Sequence, residues 1–253
     1  MLLKPYFYPY NRGSVSCRNL VKALNTKRLR PDGTYKYKPH HLIINWGNSH
    51  LPKWWKRDVI KVMNFPECVA MATHKLACLQ TLHAAKVRVP EYTAAIDTAK
   101  AWFGGNPKTV VVCRTIMKGH SGRGIIIAEK PEDLVRAGLY TKHVRHKQEF
   151  RIHVVRGKVI DAVEKRKSYE GVKDTFVRSH KHGYIFCREN VVIPKDVTHQ
   201  ALEAVAALKL NFGAVDIAYR VKEGQAYVLE VNTAPGIEGQ TILNYVKAFK
   251  DAL

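Results

Sequence analysis

The sequence predicts an α/β protein with α+β lobes, preceded by a small N-terminal α/β supporting domain. Short runs rich in Val, Ile and Tyr, separated by turns that contain glycine, predict strands. Runs rich in Ala, Leu and Lys that lack Gly and Pro predict helices. The chain has 253 residues, 46% hydrophobic and 25% charged, which is typical of a globular protein with a large core.

Residues 1–66 are expected to form the supporting domain, with a short apolar strand at His41–Trp46. This region carries 13 Lys or Arg residues against two Asp, interleaved with Tyr and Trp, and the whole chain has a formal net charge of +21. Such a surface can bind nucleic acid, steer an acidic peptide or metabolite, or simply be solvated. The sequence shows no helix-turn-helix, zinc-finger or RNA-recognition pattern, so these alternatives stay open.

Three longer segments predict helices. Glu67–Lys86 has apolar residues at helical spacing and precedes an extended segment that ends at Pro90. Thr198–Leu208 predicts a second helix with Thr198 as its cap, and Asn244–Ala252 predicts a closing helix. We expect residues 67–253 to form the main region, with a small lobe at about 90–143 and a larger lobe at about 144–253.

A β-hairpin near the C-terminus concentrates acidic residues. Its strands are predicted at Ala214–Arg220 and Ala226–Asn232, which places Asp216 nearly opposite Glu230. Because side chains alternate along a strand, Asn232 shares the face of Glu230. Two carboxylates and an amide oxygen suit Mg²⁺, which also binds phosphates. Outward-facing carboxylates of an ordinary hairpin are the alternative, but the small-residue loop that follows suits close approach to a substrate.

A glycine-rich loop lies between two apolar strands within Val110–Ile127. Its glycines allow backbone N–H groups to approach phosphate oxygens closely, and nearby cations add positive charge. The spacing alone is also that of a plain hairpin loop, and it lacks the Gly-Lys-Ser/Thr of a P-loop. The candidate phosphate-binding residues are Lys118, Gly119, Ser121, Gly122 and Gly124.

These motifs, in this order, resemble the ATP-grasp superfamily. The chain is especially similar to the ribosomal-protein glutamate ligases and glutathione-synthetase-like carboxylate–amine ligases, from about Ala70 to Lys250. The resemblance implies an ATP-grasp fold and the use of ATP with Mg²⁺, or alternatively Mn²⁺. It also implies that Asp216, Glu230 and Asn232 hold the metal ions that bridge the ATP phosphates.

The resemblance assigns further site residues. Glu149 and Arg151 match an acid-x-Arg segment, and an Arg-Ser run begins at Arg178. It implies that Arg151, Lys165 and Arg178 are catalytic cations that stabilise the transferred phosphoryl group. Arg114 stands where the family has a phosphate-binding Lys, and Tyr140 and Lys142 fall in the base-binding hinge, where Lys142 replaces a usual Glu.

The resemblance implies an ADP-forming carboxylate–amine ligase that works through an acylphosphate, with an amino acid, peptide or protein as acceptor. A small-molecule kinase of the same fold is one alternative, and a basic nucleic-acid-binding protein with a degenerate nucleotide site is another. Five widely spaced cysteines predict reduced thiols and a cytoplasmic protein. We expect no membrane partner, because no run approaches the ~20 apolar residues of a membrane span. Oligomerisation stays open.

Overall fold

The N-terminal part of the chain forms a parallel four-stranded sheet. Its strand order is β2-β1-β3-β4, and the strand predicted at His41–Trp46 is confirmed. Its elements are β1 (Lys4–Pro9), α1 (Val15–Ala23), β2 (Lys27–Arg28), β3 (His41–Trp46) and β4 (Val62–Met63). The structure is a computed structural model that describes residues 3–55, 59–118, 122–173, 175–178 and 180–253.

The helix predicted over Glu67–Lys86 is wrong as a single element, because it is two helices, α2 (Pro66–Thr73) and α3 (Lys75–Ala84). His74 breaks it with an extended backbone, φ −86° and ψ 103°, and its side chain accepts a hydrogen bond from the Ala77 N–H. His74 therefore caps α3, although histidine is not among the usual capping residues.

A small antiparallel sheet follows, in the order β5-β8-β6-β7. One helix, α4, covers it, and Ala99 of that helix packs with Val111, Cys113 and Tyr140. The predicted strands that flank the glycine-rich loop are both present. The elements are β5 (Tyr92–Thr93), α4 (Ile96–Gly105), β6 (Val111–Arg114), β7 (Ile125–Ala128) and β8 (Leu139–Lys142).

A five-stranded antiparallel sheet forms the floor of the larger lobe. Its order is β11-β10-β9-β12-β13. The predicted hairpin is confirmed, with Asp216 opposite Glu230. The elements are β9 (Gln148–Val155), β10 (Lys158–Lys167), β11 (Tyr184–Cys187), α5 (Lys195–Ala207), β12 (Phe212–Arg220), β13 (Gln225–Asn232) and α6 (Gly239–Lys250).

The two faces of this sheet differ because β9 alternates between apolar and polar side chains. Phe150 and Ile152 point to the face that α5 covers and are fully buried there. Val155, on the opposite face, packs with Phe212 against α6 at one end of the sheet only. The rest of that face carries the charged residues and lines a cavity.

The N-terminal sheet is joined to the larger lobe by aromatic and amide contacts. Trp46 stacks on Phe212 with ring centres 5.5 Å apart. Asn64, which is fully buried, accepts hydrogen bonds from the N–H groups of Asn211 and Phe212 at 2.7 and 3.1 Å. The domain boundary expected at residue 66 and the lobe limits stay predictions.

Two predicted helix starts are wrong. Helix α5 begins at Lys195, after Pro194, so Thr198 lies within its first turns rather than at its cap. Helix α6 begins at Gly239, five residues before the predicted Asn244. Among the described residues, no helix has both the length and the hydropathy that crossing a membrane requires.

Candidate active site

The two antiparallel sheets and helix α1 line a cavity of about 1110 Å³. The small sheet contributes Arg114, the five-stranded sheet contributes its polar face, and α1 contributes Ser16. Ser16 fastens α1 to the loop after β13, because its Oγ accepts from the Ile237 N–H at 3.0 Å. The cavity therefore has walls from the N-terminal, middle and C-terminal parts of the chain.

The polar face of the five-stranded sheet presents three rows of side chains, each two residues further along the strands. Since a strand rises about 3.3 Å per residue, neighbouring rows are about 6.6 Å apart. The first row contains Glu149 and Lys165. The second row contains Arg151, Asp216 and Glu230, and the third contains Asp161, His153 and Asn232.

The second row is a network of paired charges. Arg151 donates two hydrogen bonds to the Asp216 carboxylate, at 2.6 and 2.7 Å. The Lys75 Nζ donates to Glu230 Oε2 at 2.6 Å. Burial by itself would raise the pKa of Glu230, but Lys75, Arg114 and Arg151 lower it below its ordinary value. The Glu230 carboxylate is therefore ionised at neutral pH.

The three predicted metal ligands are brought together. The Asn232 Nδ2 lies 3.1 Å from Glu230 Oε1 and 3.5 Å from Asp216 Oδ2, so the three side chains form one contiguous group. A half-turn of the Asn232 amide would place its oxygen on the side of the two carboxylates. Hard oxygen donors of this kind fit Mg²⁺, which would compete with Lys75 and Arg151 for the carboxylate oxygens.

The glycine-rich loop is only partly covered by the structure. Arg114, at the end of β6, and Gly122 line the cavity, whereas Lys118 and Gly124 are not among the described residues that line it. Burial lowers the pKa of Arg114, although Glu230 acts in the opposite direction. Gly122 has φ +73°, a backbone conformation that favours glycine. Gly119 and Ser121 lie outside the described residues.

The hinge places its two predicted base-binding residues differently. The Tyr140 side chain is buried in the small lobe, where its hydroxyl donates to Val135 O and accepts from the Ala137 N–H, both at 2.9 Å. Its side chain is therefore not available to a base, and Tyr140, which is paired with strands on both sides, is not among the described residues that line the cavity. Lys142 lines the cavity, and its Nζ lies 3.3 Å from the carboxylate of Glu91.

The first row is an ion-paired cluster beside the hinge. The Lys165 Nζ donates to Glu149 Oε1, and the other carboxylate oxygen lies 3.3 Å from the His146 Nε2. Burial by itself would raise the pKa of Glu149, but these two partners lower it. Arg178 is held by the carbonyls of His146 and Lys147, each at 2.9 Å, and it also lines the cavity.

Lys75 and Phe186 are among the residues of the site that had no predicted role. Lys75 pairs with Glu230 although the two are 155 positions apart in the sequence. Phe186 stacks its ring on the Arg151 guanidinium, 4.6 Å from the ring centre. No local signal marked Lys75, because the composition predicts one unbroken helix over Glu67–Lys86 and the break at His74 is seen only in the structure. No local signal distinguishes Phe186 from a core residue.

Solved structures share the fold of this chain. The ATP-grasp ligase PsnB, complexed with a phosphomimetic variant of minimal precursor, Mg and ADP, has a TM-score of 0.71 over 99% of this chain and 97% of its own, at 13% identity. The D-alanine–D-alanine ligase of Bacillus anthracis has a TM-score of 0.66 over 99% and 92%, at 16% identity. The chain therefore has the ATP-grasp fold, as the sequence motifs predicted.

The family follows from the sequence. The RimK-like ATP-grasp domain matches residues 72–248, and the chain belongs to this family. It is 28% identical over 195 residues to a probable alpha-L-glutamate ligase of Mannheimia succiniciproducens, covering 71% of this chain and 61% of that protein. It is 31% identical over 188 residues to probable alpha-L-glutamate ligase 1 of Shewanella sp. strain MR-4, covering 68% and 58%. The chain thus spans about three fifths of the length of these relatives.

Proposed function

We propose that this protein is an ATP-dependent, ADP-forming carboxylate–amine ligase. The observation that carries the proposal is the second row of the sheet. There, two acidic residues face each other across a hairpin and are surrounded by cations from three separate segments of the chain. Such a site can bind a metal–triphosphate complex, because it offers oxygen ligands to the metal and positive charge to the phosphates.

In this proposal Asp216, Glu230 and Asn232 hold Mg²⁺, which neutralises phosphate charge when bound. Arg114, Lys118 and the loop that contains Gly122 hold the phosphates, while the hinge that begins at Tyr140 holds the base, with the Lys142 side chain. Arg151, Lys165 and Arg178 stabilise the charge on the phosphoryl group as it passes to a substrate carboxylate. An amine then attacks the acylphosphate, phosphate leaves, and an amide forms. Mn²⁺ also suits oxygen-rich sites.

A peptide or amino acid is the proposed acceptor. A cavity of about 1110 Å³ exceeds the roughly 300–1,000 Å³ of a typical single-ligand pocket, so ATP leaves space for a second substrate. Tyr10 and Val15 are 55% and 60% exposed and line the cavity, where they offer apolar contacts to a larger acceptor. The relatives' names also support an amino-acid acceptor, and the macrocyclase MdnC of Microcystis aeruginosa, solved with a bound precursor peptide, supports a peptide acceptor. We also propose that the protein acts in the cytoplasm.

The direct test is ADP formation by the purified protein with Mg-ATP or Mn-ATP and a panel of carboxylates and amines, with mass spectrometry of the products. We expect ADP release that needs both substrates and an amide product that lacks phosphate. A stable phosphorylated product formed without an amine would favour the kinase alternative. ADP formation that needs neither substrate would contradict ligation. Glu230→Gln provides the inactive comparison.

One of the two observations behind the nucleic-acid-binding alternative, the aromatic residues, is weaker in the structure than in the sequence. The aromatic residues that prompted it pack against one another, with ring centres of Trp54 lying 5.6 Å from Tyr8 and 4.9 Å from Tyr35. These rings thus pack edge to face within the N-terminal cluster, in which Trp54 and Tyr35 are partly buried. This alternative stays a prediction, and binding of RNA or DNA that weakens steeply with salt would support it.

A further inference from the structure

The turn that ends β3 packs against the loop that follows β13, the strand that carries Glu230 and Asn232. This loop, residues 233–238, joins β13 to α6. Gly47 follows β3, and a Cβ atom at its position would lie 2.6 Å from the Ala234 Cβ and 3.6 Å from the Ala234 backbone nitrogen. Since carbon atoms in contact normally lie about 3.5–4.0 Å apart, only glycine allows the two segments to approach this closely.

The turn at Gly47 is itself fixed by a buried amide. Asn45 is fully buried, and its Nδ2 donates to the backbone oxygens of Asn48 and Asn64 at 2.9 and 2.8 Å. Its Oδ1 accepts from the Asn48 N–H at 3.0 Å, so both ends of the amide are used. Gly47 also forms a bridge with Pro9 of β1. The turn therefore cannot retreat from the loop without leaving buried polar groups unpaired, which is costly.

Helix α1 holds the other end of the same loop. The Ser16 Oγ accepts from the Ile237 N–H at 3.0 Å and donates to the Ile237 backbone oxygen at 3.3 Å. Both residues are buried, whereas Gly236, which lies between the two contacts, is exposed. The N-terminal part of the chain thus fixes the loop near its start through Gly47 and near its end through Ser16.

The position of this loop determines where the Asn232 side chain lies. Ala234 is only two residues beyond Asn232, where the chain leaves the strand. To accept a side chain at position 47, the Ala234 Cβ would have to move by about 1 Å. Mg²⁺ demands ligands at about 2.0–2.1 Å in near-octahedral geometry. A movement of that size in the loop would therefore carry the Asn232 amide away from Glu230 and Asp216.

We propose that Gly47 and Ser16 are positioning residues for the metal site, because they hold the loop that keeps Asn232 beside Glu230 and Asp216. The inference rests on the proposed function, in which Asn232 is a ligand of Mg²⁺. It gives the N-terminal part of the chain a role in Mg-nucleotide binding, although the proposed ligands of the metal and of the phosphates all lie further along the chain.

The test is equilibrium binding of ADP to the intact protein over a series of Mg²⁺ concentrations, measured by calorimetry. Gly47→Ala should raise the Mg²⁺ concentration for half-maximal binding about 10- to 100-fold, the usual effect of disturbing a group that orients a metal ligand. Ser16→Ala leaves the Ile237 N–H without its acceptor and should raise it about 3- to 10-fold, because one end of the loop is released. Without Mg²⁺, ADP affinity should not change in either variant, because in this proposal Asn232 acts on the nucleotide only through the metal.

Two variants separate the contact from backbone strain. Gly47 has φ +78°, and Gly157 in the β9–β10 turn has φ +71°, but an added Cβ at Gly157 would meet nothing within 4 Å. Gly157→Ala therefore introduces comparable strain without a clash, so it should lower the Tm and leave the Mg²⁺ dependence unchanged. Adding Ala234→Gly to Gly47→Ala removes the clashing methyl group and should restore most of the affinity for Mg²⁺. The remaining close neighbour, the Tyr10 ring, is 55% exposed and can move aside.

The positioning role is overturned if ADP binding to the wild type is independent of Mg²⁺, or if Gly47→Ala keeps the wild-type Mg²⁺ dependence. It is also overturned if Gly157→Ala raises the required Mg²⁺ concentration equally, or if Ala234→Gly gives no recovery. Should Gly47→Ala fail to fold, the Mg²⁺ dependence of Ser16→Ala decides in the same way. If the variants shift the Mg²⁺ dependence as expected but the wild type forms no ADP with any carboxylate and amine, the positioning role stands and the proposed ligase function fails.

Discussion

Replacing Glu230 with Gln should abolish Mg-dependent nucleotide binding while the protein still folds. Glu230 and Lys75 are 28% and 12% exposed and lie 2.6 Å apart. Breaking a fully buried pair costs about 3–5 kcal/mol. The partial exposure of Glu230 and the hydrogen bond that an amide oxygen still accepts reduce the cost here to about 2 kcal/mol. A protein of this length should tolerate that loss.

The assay is thermal unfolding with and without Mg-ADP. At about 100 times its dissociation constant, a ligand adds about 2.7 kcal/mol to the free energy of unfolding. With an unfolding entropy of about 2 cal/mol/K per residue, the wild type should gain about 5 °C in Tm. Glu230→Gln should unfold about 4 °C lower than the wild type without ligand and gain less than about 1 °C with it.

Glu223→Gln is the matched control. It makes the same chemical change on an exposed pair with Arg220, where ion pairs contribute about 0–1 kcal/mol. It should keep the full Mg-ADP shift. A full shift in Glu230→Gln would refute the metal-binding role of Glu230, and an equal loss of the shift in Glu223→Gln would show that the effect is not specific to the site.

Three further predictions follow from buried polar groups. Asn64→Ala should lower the free energy of unfolding, measured by urea denaturation, by about 3 kcal/mol. The substitution leaves the backbone N–H groups of Asn211 and Phe212 without their hydrogen-bond acceptor. A loss below about 1 kcal/mol would contradict this. Lys165→Met should lower the free energy of unfolding by about 3 kcal/mol, because the buried Glu149 carboxylate keeps only His146 as its partner. Adding Glu149→Gln removes the buried charge and should restore most of that free energy. A double variant whose loss equals the sum of the singles would disprove the coupling. The pKa of His143 is about 4 in the folded protein, chiefly through burial, against about 6.5 when unfolded. The unfolded chain therefore binds the proton first, so stability should fall as pH drops from about 6.5 to about 4. Urea titrations across this range should show a smaller fall for His143→Gln, and an unchanged fall would exclude His143 as the cause.

The hairpin shows how far local pattern could predict the site. Alternation and the turn position were enough to place Asp216 opposite Glu230, because register in a hairpin is set by nearby residues. Tyr140 shows what the alternation pattern could not predict. Its position in the hinge was predicted, but alternation could not tell which face of β8 packs on α4, and that face buries its ring.

The predicted helix boundaries were wrong for a related reason. The run from Glu67 to Lys86 has helical composition throughout, yet His74 is extended and Lys75 starts a new helix. Composition measures the average preference of a segment, whereas the break depends on one residue. The Lys75 N–H donates to Met117 O in the distant glycine-rich segment, a contact that no local rule contains.

The sequence by itself determined the fold family and the group formed by Asp216, Glu230 and Asn232. It also determined the alternation that puts Glu149, Arg151 and His153 on one face of β9. These features depend on residues close together in the chain, where period-two geometry and turn chemistry act directly. Only the tertiary structure decided that Lys75 pairs with Glu230 and that Arg188 is held by Asp161 and faces the cavity. Such pairs form because sheet order and helix packing bring distant segments into contact, and a buried charge must then find its partner there.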